Sequence, residues 1–202
     1  MKTKLYLEQI HQWPASGQHI MAQYDATSIY VYQAYRPAIA AHAVKHQQFG
    51  GEFSFSRMSW IKPNFLWMMF RSGWATKEGQ ERILAVRLPR TFFDELLRAA
   101  VASSFAASGY ATQQEWRDRV EQSEVRLQWD PDHDPTGAVI ERRAIQLGLR
   151  GEMLKRYARD EVLSIEDITD FVAQQREYAA QDFSGLLVPE EQPYVLPSVG
   201  RG

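Results

Sequence analysis

Residues 19 to 35 read HIMAQYDATSIYVYQAY, with apolar and polar positions alternating on both sides of Asp25-Ala26-Thr27. A period of two broken by turn-forming residues predicts two strands and a tight turn. Tyr30 and Tyr32 would share one face, with Ile29, Val31 and Gln33 on the other. The period then changes. In RPAIAAHAVKHQQFGG, Pro37 suits a first helical position, and Ile39, Ala40, Ala43 and Val44 make a stripe that Gly50-Gly51 should end. RILAVRLP predicts a buried strand. TFFDELLRAAVASSF predicts a helix capped by Thr91, with Phe93, Leu96, Leu97, Ala100, Val101 and Phe105 turned to the core. A polar helix follows near Glu115–Ser123, then VRLQWD and RRAIQLGL as antiparallel strands around the loop PDHDPTGAVIE. The last helix is expected in SIEDITDFVAQQREYAAQ, with Ser164 as its cap and Ile165, Ile168, Phe171 and Val172 inside.

Strands and helices are mixed without a regular βαβα order, so the expected class is α+β: one mostly antiparallel sheet with about five helices. A chain of 202 residues suits a single core. The domain is expected over residues 1–184, with 185–202 as a Pro-rich tail.

Residues 57–74, RMSWIKPNFLWMMFRSGW, depart from the ordinary pattern. Pro63 fits the first turn of a helix that should run to about Arg71 and stop before Gly73. Asn64, Trp67 and Arg71 share a face by their spacing of three and four. Phe65, Leu66, Met68, Met69 and Phe70 make the rest apolar nearly all round, which predicts burial. Arg57 and Lys62 stand just before the helix N-terminus, where free backbone N–H groups and the helix dipole favour an anion. Phosphate is the anion that such a place suits. Trp60, Trp67 and Trp74 offer stacking surfaces or core filling. Tyr35 and Arg36, at the end of a strand and directly before a helix, add a second polar cluster.

Bulk properties narrow the function. The formal net charge of -2 excludes bulk attraction to nucleic acid or an anionic membrane, so any basic site is local. With no cysteine there is no disulfide, thiol nucleophile or cysteine-ligated zinc. No apolar run suits a signal peptide or a membrane span, which predicts a cytoplasmic protein. The G-x-S-x-G, G-x-x-x-x-G-K-[ST] and G-x-G-x-x-G signatures do not occur. His42 and His46 lie one helical turn apart without the glutamate of a zinc-peptidase helix. Asp130, Asp132, His133 and Asp134 gather oxygen ligands that a divalent ion could use.

FSFSRMSWIKPNFLWMMFRSGW, with VYQAY upstream and QWDPDHDP and ERRAIQLGLRG downstream, resembles the family called domain of unknown function 4291. The likeness runs from about Gln23 to Phe171 and implies no particular reaction. A further order of residues is similar to the ADP-ribosyltransferase fold: Tyr35-Arg36, then Phe53-Ser54-Phe55-Ser56, then Glu141 before RRAIQLGL. That resemblance implies NAD as cofactor. Tyr35 or Arg36 would anchor its phosphate or ribose, Ser54 and Ser56 would support the nicotinamide pocket, and Glu141 would stabilise the oxocarbenium-like transition state. Phe55 stands where that pattern has Thr.

The leading expectation is therefore a nucleotide-dependent transferase with an anion-binding cleft. Arg57, Lys62 and Arg71 would lie near phosphates, Trp60 and Trp67 near a ring, and Glu141 near the sugar. Two alternatives use the same residues differently: a non-catalytic module that binds a nucleotide or an RNA end, and a metal-dependent phosphoesterase around Asp130, Asp132, His133 and Asp134.

Overall fold

The computed structural model describes residues 1–197. In chain order the elements are β1 (Thr3–Leu5), α1 (Tyr6–Ile10), β2 (Gly17–Gln18), β3 (Met21–Ala22), β4 (Ser28–Tyr35), α2 (Pro37–His46), β5 (Ser59–Ile61) and α3 (Phe65–Ser72). Next come β6 (Arg82–Pro89), α4 (Arg90–Ala99), β7 (Val101–Ala102), α5 (Gln113–Gln122), β8 (Val125–His133) and β9 (Val139–Leu149). The chain continues with α6 (Gly151–Lys155), β10 (Ser164–Asp167), α7 (Thr169–Ala179), β11 (Leu187–Pro189) and β12 (Gln192–Pro193).

The class is α+β in a single domain, and the described residues contain seven α-helices where about five were expected. The strands divide among several sheets instead of one. β10-β6-β4 is an antiparallel three-stranded sheet. A curled, mixed half-barrel sheet has the order β2-β9-β8-β7, with β5 also on β9; β2 and β7 run parallel to their neighbours. Two short ribbons, β1-β11 and β12-β3, tie the chain ends to the body.

The alternation in β4 decides how the layers stack. Ile29 and Val31 enter one apolar cluster with Leu84, Val86, Leu147 and Leu149, and against it pack Ala40 and Ala43 of α2 and Phe93 and Leu96 of α4. Tyr30 and Tyr32 face the opposite cluster, which holds Phe65, Leu66 and Met69 of α3 and Val172 of α7. The small sheet is thus buried on both faces, which is why RILAVRLP reads as an unbroken apolar strand. The turn at Asp25 is secured by its carboxylate, which accepts from Thr27 N and Ser28 N, both at 2.8 Å.

Several expected elements differ. Ser164–Asp167 is a strand, because Ile165 pairs with Val86 of β6 in the ladder; the helix starts at Thr169. α4 grows directly out of β6, with Arg90 N bonded to Thr27 O at 2.9 Å, so Thr91 does not cap it. It ends at Ala99, leaving Val101 in β7. FSFS is irregular chain, with Phe53 buried and Ser54 and Ser56 exposed. The segment from 185, expected as a tail, carries β11 and β12, and Leu186, Val188, Glu191 and Tyr194 are buried.

Candidate anion-binding cleft

A cleft opens where the two larger sheets are stitched together. β5 bonds to β9 through the pairs Ser59–Leu149, Trp60–Gly148 and Ile61–Leu147. The next residue turns to β4: Tyr32 N donates to Lys62 O at 2.7 Å, and Lys62 N to Tyr32 O at 3.2 Å. Segment 59–62 therefore belongs to both sheets; Ile61 enters the core, while Ser59, Trp60 and Lys62 line the space above the seam. The space above it is about 540 Å³, within the range of small-molecule sites. Tyr35, Arg57, Trp60, Lys62 and Arg71 all line it.

Lys62 is the unusual member. Only 5% of it is exposed, and neither a hydrogen-bond acceptor nor a carboxylate pairs with its ammonium group among the described residues. Burial, reinforced by Arg71, pushes its pKa down to about 8; the field of Asp130 opposes this without overcoming it. Holding the charge there costs roughly 3 kcal/mol. Arg57 and Arg71 are exposed at the rim, and no ion pair among the described residues involves either.

The neutral lining is equally specific. Gln33 sits in phase with Ile29 and Val31, on an otherwise apolar face. Its Nε2 donates to Ser59 Oγ at 2.8 Å and to Trp60 O at 3.1 Å, while its Oε1 accepts from Tyr157 OH at 2.6 Å. Tyr35 OH and Ser59 Oγ lie 2.9 Å apart. Two hydroxyls that share one bond keep one proton over, so the pair can donate to a bound ligand whichever way it is oriented. Gln128 and Gln146, opposite each other on β8 and β9, donate to the two oxygens of Asp130 at 2.7 and 2.8 Å. Trp60 lies against Gly148, where a Cβ would come within 3.0 Å of the ring and 2.6 Å of Met58 Sδ. A larger residue there would have to displace both the indole and the Met58 thioether.

The α3 N-terminus is not open to a ligand, contrary to expectation. Glu191 occupies it: its carboxyl accepts from Phe65 N at 2.7 Å and from Asn64 Nδ2 at 3.0 Å. Asn64 Oδ1 accepts from Trp67 N at 2.6 Å, and Gly73, at φ 58°, closes the other end. Burial raises the Glu191 pKa to about 8. The acceptor at the helix N-terminus is thus a carboxyl group of the protein itself, held by hydrogen bonds in a place where burial favours its neutral form. Lys62 and the arginines serve a different place.

The family described as Domain of unknown function (DUF4291) matches residues 19–194. The chain belongs to this family. No curated protein matches it. The family match supports the first sequence resemblance and gives none to the ADP-ribosyltransferase one. The matched span includes the whole cleft of this DUF4291 domain, together with Glu191.

The remaining expected site residues lie elsewhere. Trp67 is buried away from the cleft, stacked on Phe70 and His133 at 5.3 and 5.4 Å between ring centroids. The helix face turned to the cleft is that of Met68 and Arg71, one residue further round. Arg36 pairs with Glu52 at 2.6 Å and, with Ser54, lines a neighbouring hollow of about 420 Å³ that shares Tyr35, Arg57, Met58 and Ser59 with the cleft. Ser56 is exposed and bonded to Ser54 at 3.2 Å. Glu141 is exposed on β9, on the strand face opposite Gln146, five residues and about 17 Å along the strand from it. It does not join the cleft.

The acidic run is dispersed. Asp132 pairs with Arg142 at 2.7 Å, Asp134 holds its own turn through Thr136 N at 2.9 Å, and Asp130 is held by the glutamines. Among the described residues no group of three or more His, Asp or Glu side chains could hold a metal ion. His42 and His46 lie 4.4 Å apart between ring centroids on α2, their planes tilted by 37°. No helix among them is long and apolar enough to cross a membrane.

Proposed function

We propose that the cleft grips the phosphates of a nucleotide-sized ligand and that the protein is a nucleotide-dependent transferase. The observation that carries this reading is the convergence of Arg57, Lys62 and Arg71 on one cavity without a carboxylate to pair with them. Three like charges repel one another, and an anion would relieve that repulsion. The arginines suit the oxygens of a phosphate geometrically as well as in charge. Trp60 offers a ring to stack on, and the Tyr35–Ser59 pair a donor. In the ADP-ribosyltransferase-like form of the proposal NAD is the cofactor. Asp130, held behind the lining by Gln128 and Gln146, is the carboxylate whose field reaches Lys62, whereas Glu141 lies outside the cleft. A module that only holds a nucleotide or an RNA end is the second reading, favoured by the exposed position of Arg57 and Arg71 at the rim.

The test is calorimetric titration with ATP, NAD, a nucleoside monophosphate and a short 5′-phosphorylated RNA. At least one should bind in a salt-sensitive way, and Arg57→Ala or Arg71→Ala should weaken it about tenfold or more, while Glu141→Gln leaves it unchanged. Release of nicotinamide from NAD selects the ADP-ribosyltransferase-like form. Binding of the RNA end without turnover selects the module. Indifference to every phosphate compound removes both.

A further inference from the structure

We infer that Lys62 is a nucleophilic amine and that the cleft accepts a phosphorylated carbonyl compound, which it holds as a Schiff base. This rests on the cleft being a phosphate site and adds the class of substrate and the bond formed. Two observations of geometry support it. Lys62 is fixed at its backbone by the paired bonds to Tyr32, and its side chain, nearly all buried, lines the cleft with no acceptor or carboxylate paired to it among the described residues. The phosphate-binding duty is also already covered: Arg57 and Arg71 line the same space, and their planar guanidinium groups match phosphate oxygens.

The surroundings favour the uncharged amine. Burial first, then the neighbouring Arg71 charge, lower the affinity of Lys62 for its proton. Desolvation and an adjacent cation are the two means by which lysine is made a nucleophile. The groups facing it from each packed element are Arg71 from α3, Tyr35 from β4 and Asp130 from β8, with Arg57 before β5.

The bond changes balance without a further reactant. The Lys62 Nζ lone pair forms a C–N bond to the carbonyl carbon, and the carbonyl π pair moves onto oxygen, which takes a proton. The Tyr35–Ser59 pair lines the cleft and has one proton to give. The nitrogen, positive after the attack, gives up one proton. Its restored lone pair expels the oxygen as water once that oxygen has taken a second proton, and loss of the remaining N–H proton leaves the imine. The two protons lost by nitrogen equal the two gained by oxygen, the Tyr35–Ser59 pair ends as it began, and amine and carbonyl become imine and water.

Pyridoxal 5′-phosphate is the probe, with pyridoxal as its phosphate-free control. The intact protein is incubated with each, reduced with borohydride and mapped by peptide mass spectrometry. Lys62 should take up one equivalent of label, at least about tenfold faster from the phosphorylated aldehyde. Inorganic phosphate should protect it, and Lys62→Met should abolish the label while melting cooperatively. Label spread over surface lysines with no excess at Lys62 overturns the inference, as does equal labelling by pyridoxal. Phosphate binding to the unmodified protein is measured alongside. A protein that binds phosphate yet stays unlabelled at Lys62 refutes only the Schiff base, whereas one that does neither refutes the phosphate site as well.

Discussion

A single lysine sets the energetic character of the cleft. Lys62 has a folded pKa of about 8 against an ordinary value of 10.5. Below about pH 8 the ammonium is present in both folded and unfolded chains, and the folded state bears the full cost of burying it. Between about 8 and 10.5 the unfolded chain holds a proton that the folded chain has released, so that cost fades and stability relative to a neutral residue recovers as pH rises. Lys62→Met should therefore raise the stability at pH 7 by about 1–3 kcal/mol, or several degrees in melting temperature, with the gain shrinking by pH 10. Thermal melts of both proteins at the two pH values decide it. A variant that melts below the wild type at pH 7, or with the same offset at pH 10, would show that Lys62 is not held under strain. Such a gain on losing a binding residue is the usual mark of a site kept for function.

At the scale of an element, α3 is the member whose ends are made by different parts of the chain. Asn64 and Gly73 are local, and both are visible in NFLWMMFRSG. Glu191, well over a hundred residues later, supplies the remaining acceptor. Glu191→Ala strands the Phe65 N–H and the Asn64 amide in a buried place, at about 1–3 kcal/mol for each group. The melting temperature should fall by roughly 5–15 °C, and by clearly less for Glu191→Gln, which keeps one acceptor. Equal losses for the two variants would mean that packing, not the cap, is what Glu191 provides. The same contrast marks what the sequence carried. Arg57, Lys62 and Arg71 lie within fifteen residues, so their nearness was legible from local geometry. Gln33 is legible as a polar residue in an apolar phase of β4, though its partners Ser59, Trp60 and Tyr157 are not. Gln128 and Gln146 sit on the β8–β9 pair that the sequence predicts, but they reach the cleft only because β5 joins β9, and no spacing rule shows that pairing. Trp67 looked like a cleft residue by its spacing with Arg71, yet His133 and Phe70 bury it. Ile165 satisfied a helical stripe, and pairing with β6 outweighed it.

The whole molecule is closed by its ends. The Pro-rich segment from 185 reads as a tail that either wraps the surface or is loose; Pro189 and Pro193 stand on three-residue and two-residue edge ribbons, where prolines are tolerated. β11 covers β1, β12 covers β3, and Leu186, Val188 and Tyr194 are at most 4% exposed. Burial of such side chains stabilises by roughly 1.5–3 kcal/mol each. Three of them, with the Glu191 cap, approach the entire stability of a domain, about 5–15 kcal/mol. A chain ending after Ser184 should accordingly show no cooperative melting, because Tyr6, Trp13 and the α3 N-terminus lose their cover together. Leu186→Ala gives the graded version: a cavity costing about 2–5 kcal/mol, hence a cooperative transition lowered by roughly 5–15 °C. Calorimetry of the two proteins beside the full chain is the measurement. Should the shortened chain melt cooperatively within a few degrees of the full one, residues 185–194 would be a cover on a finished domain, and α3 would hold the cleft in shape without Glu191.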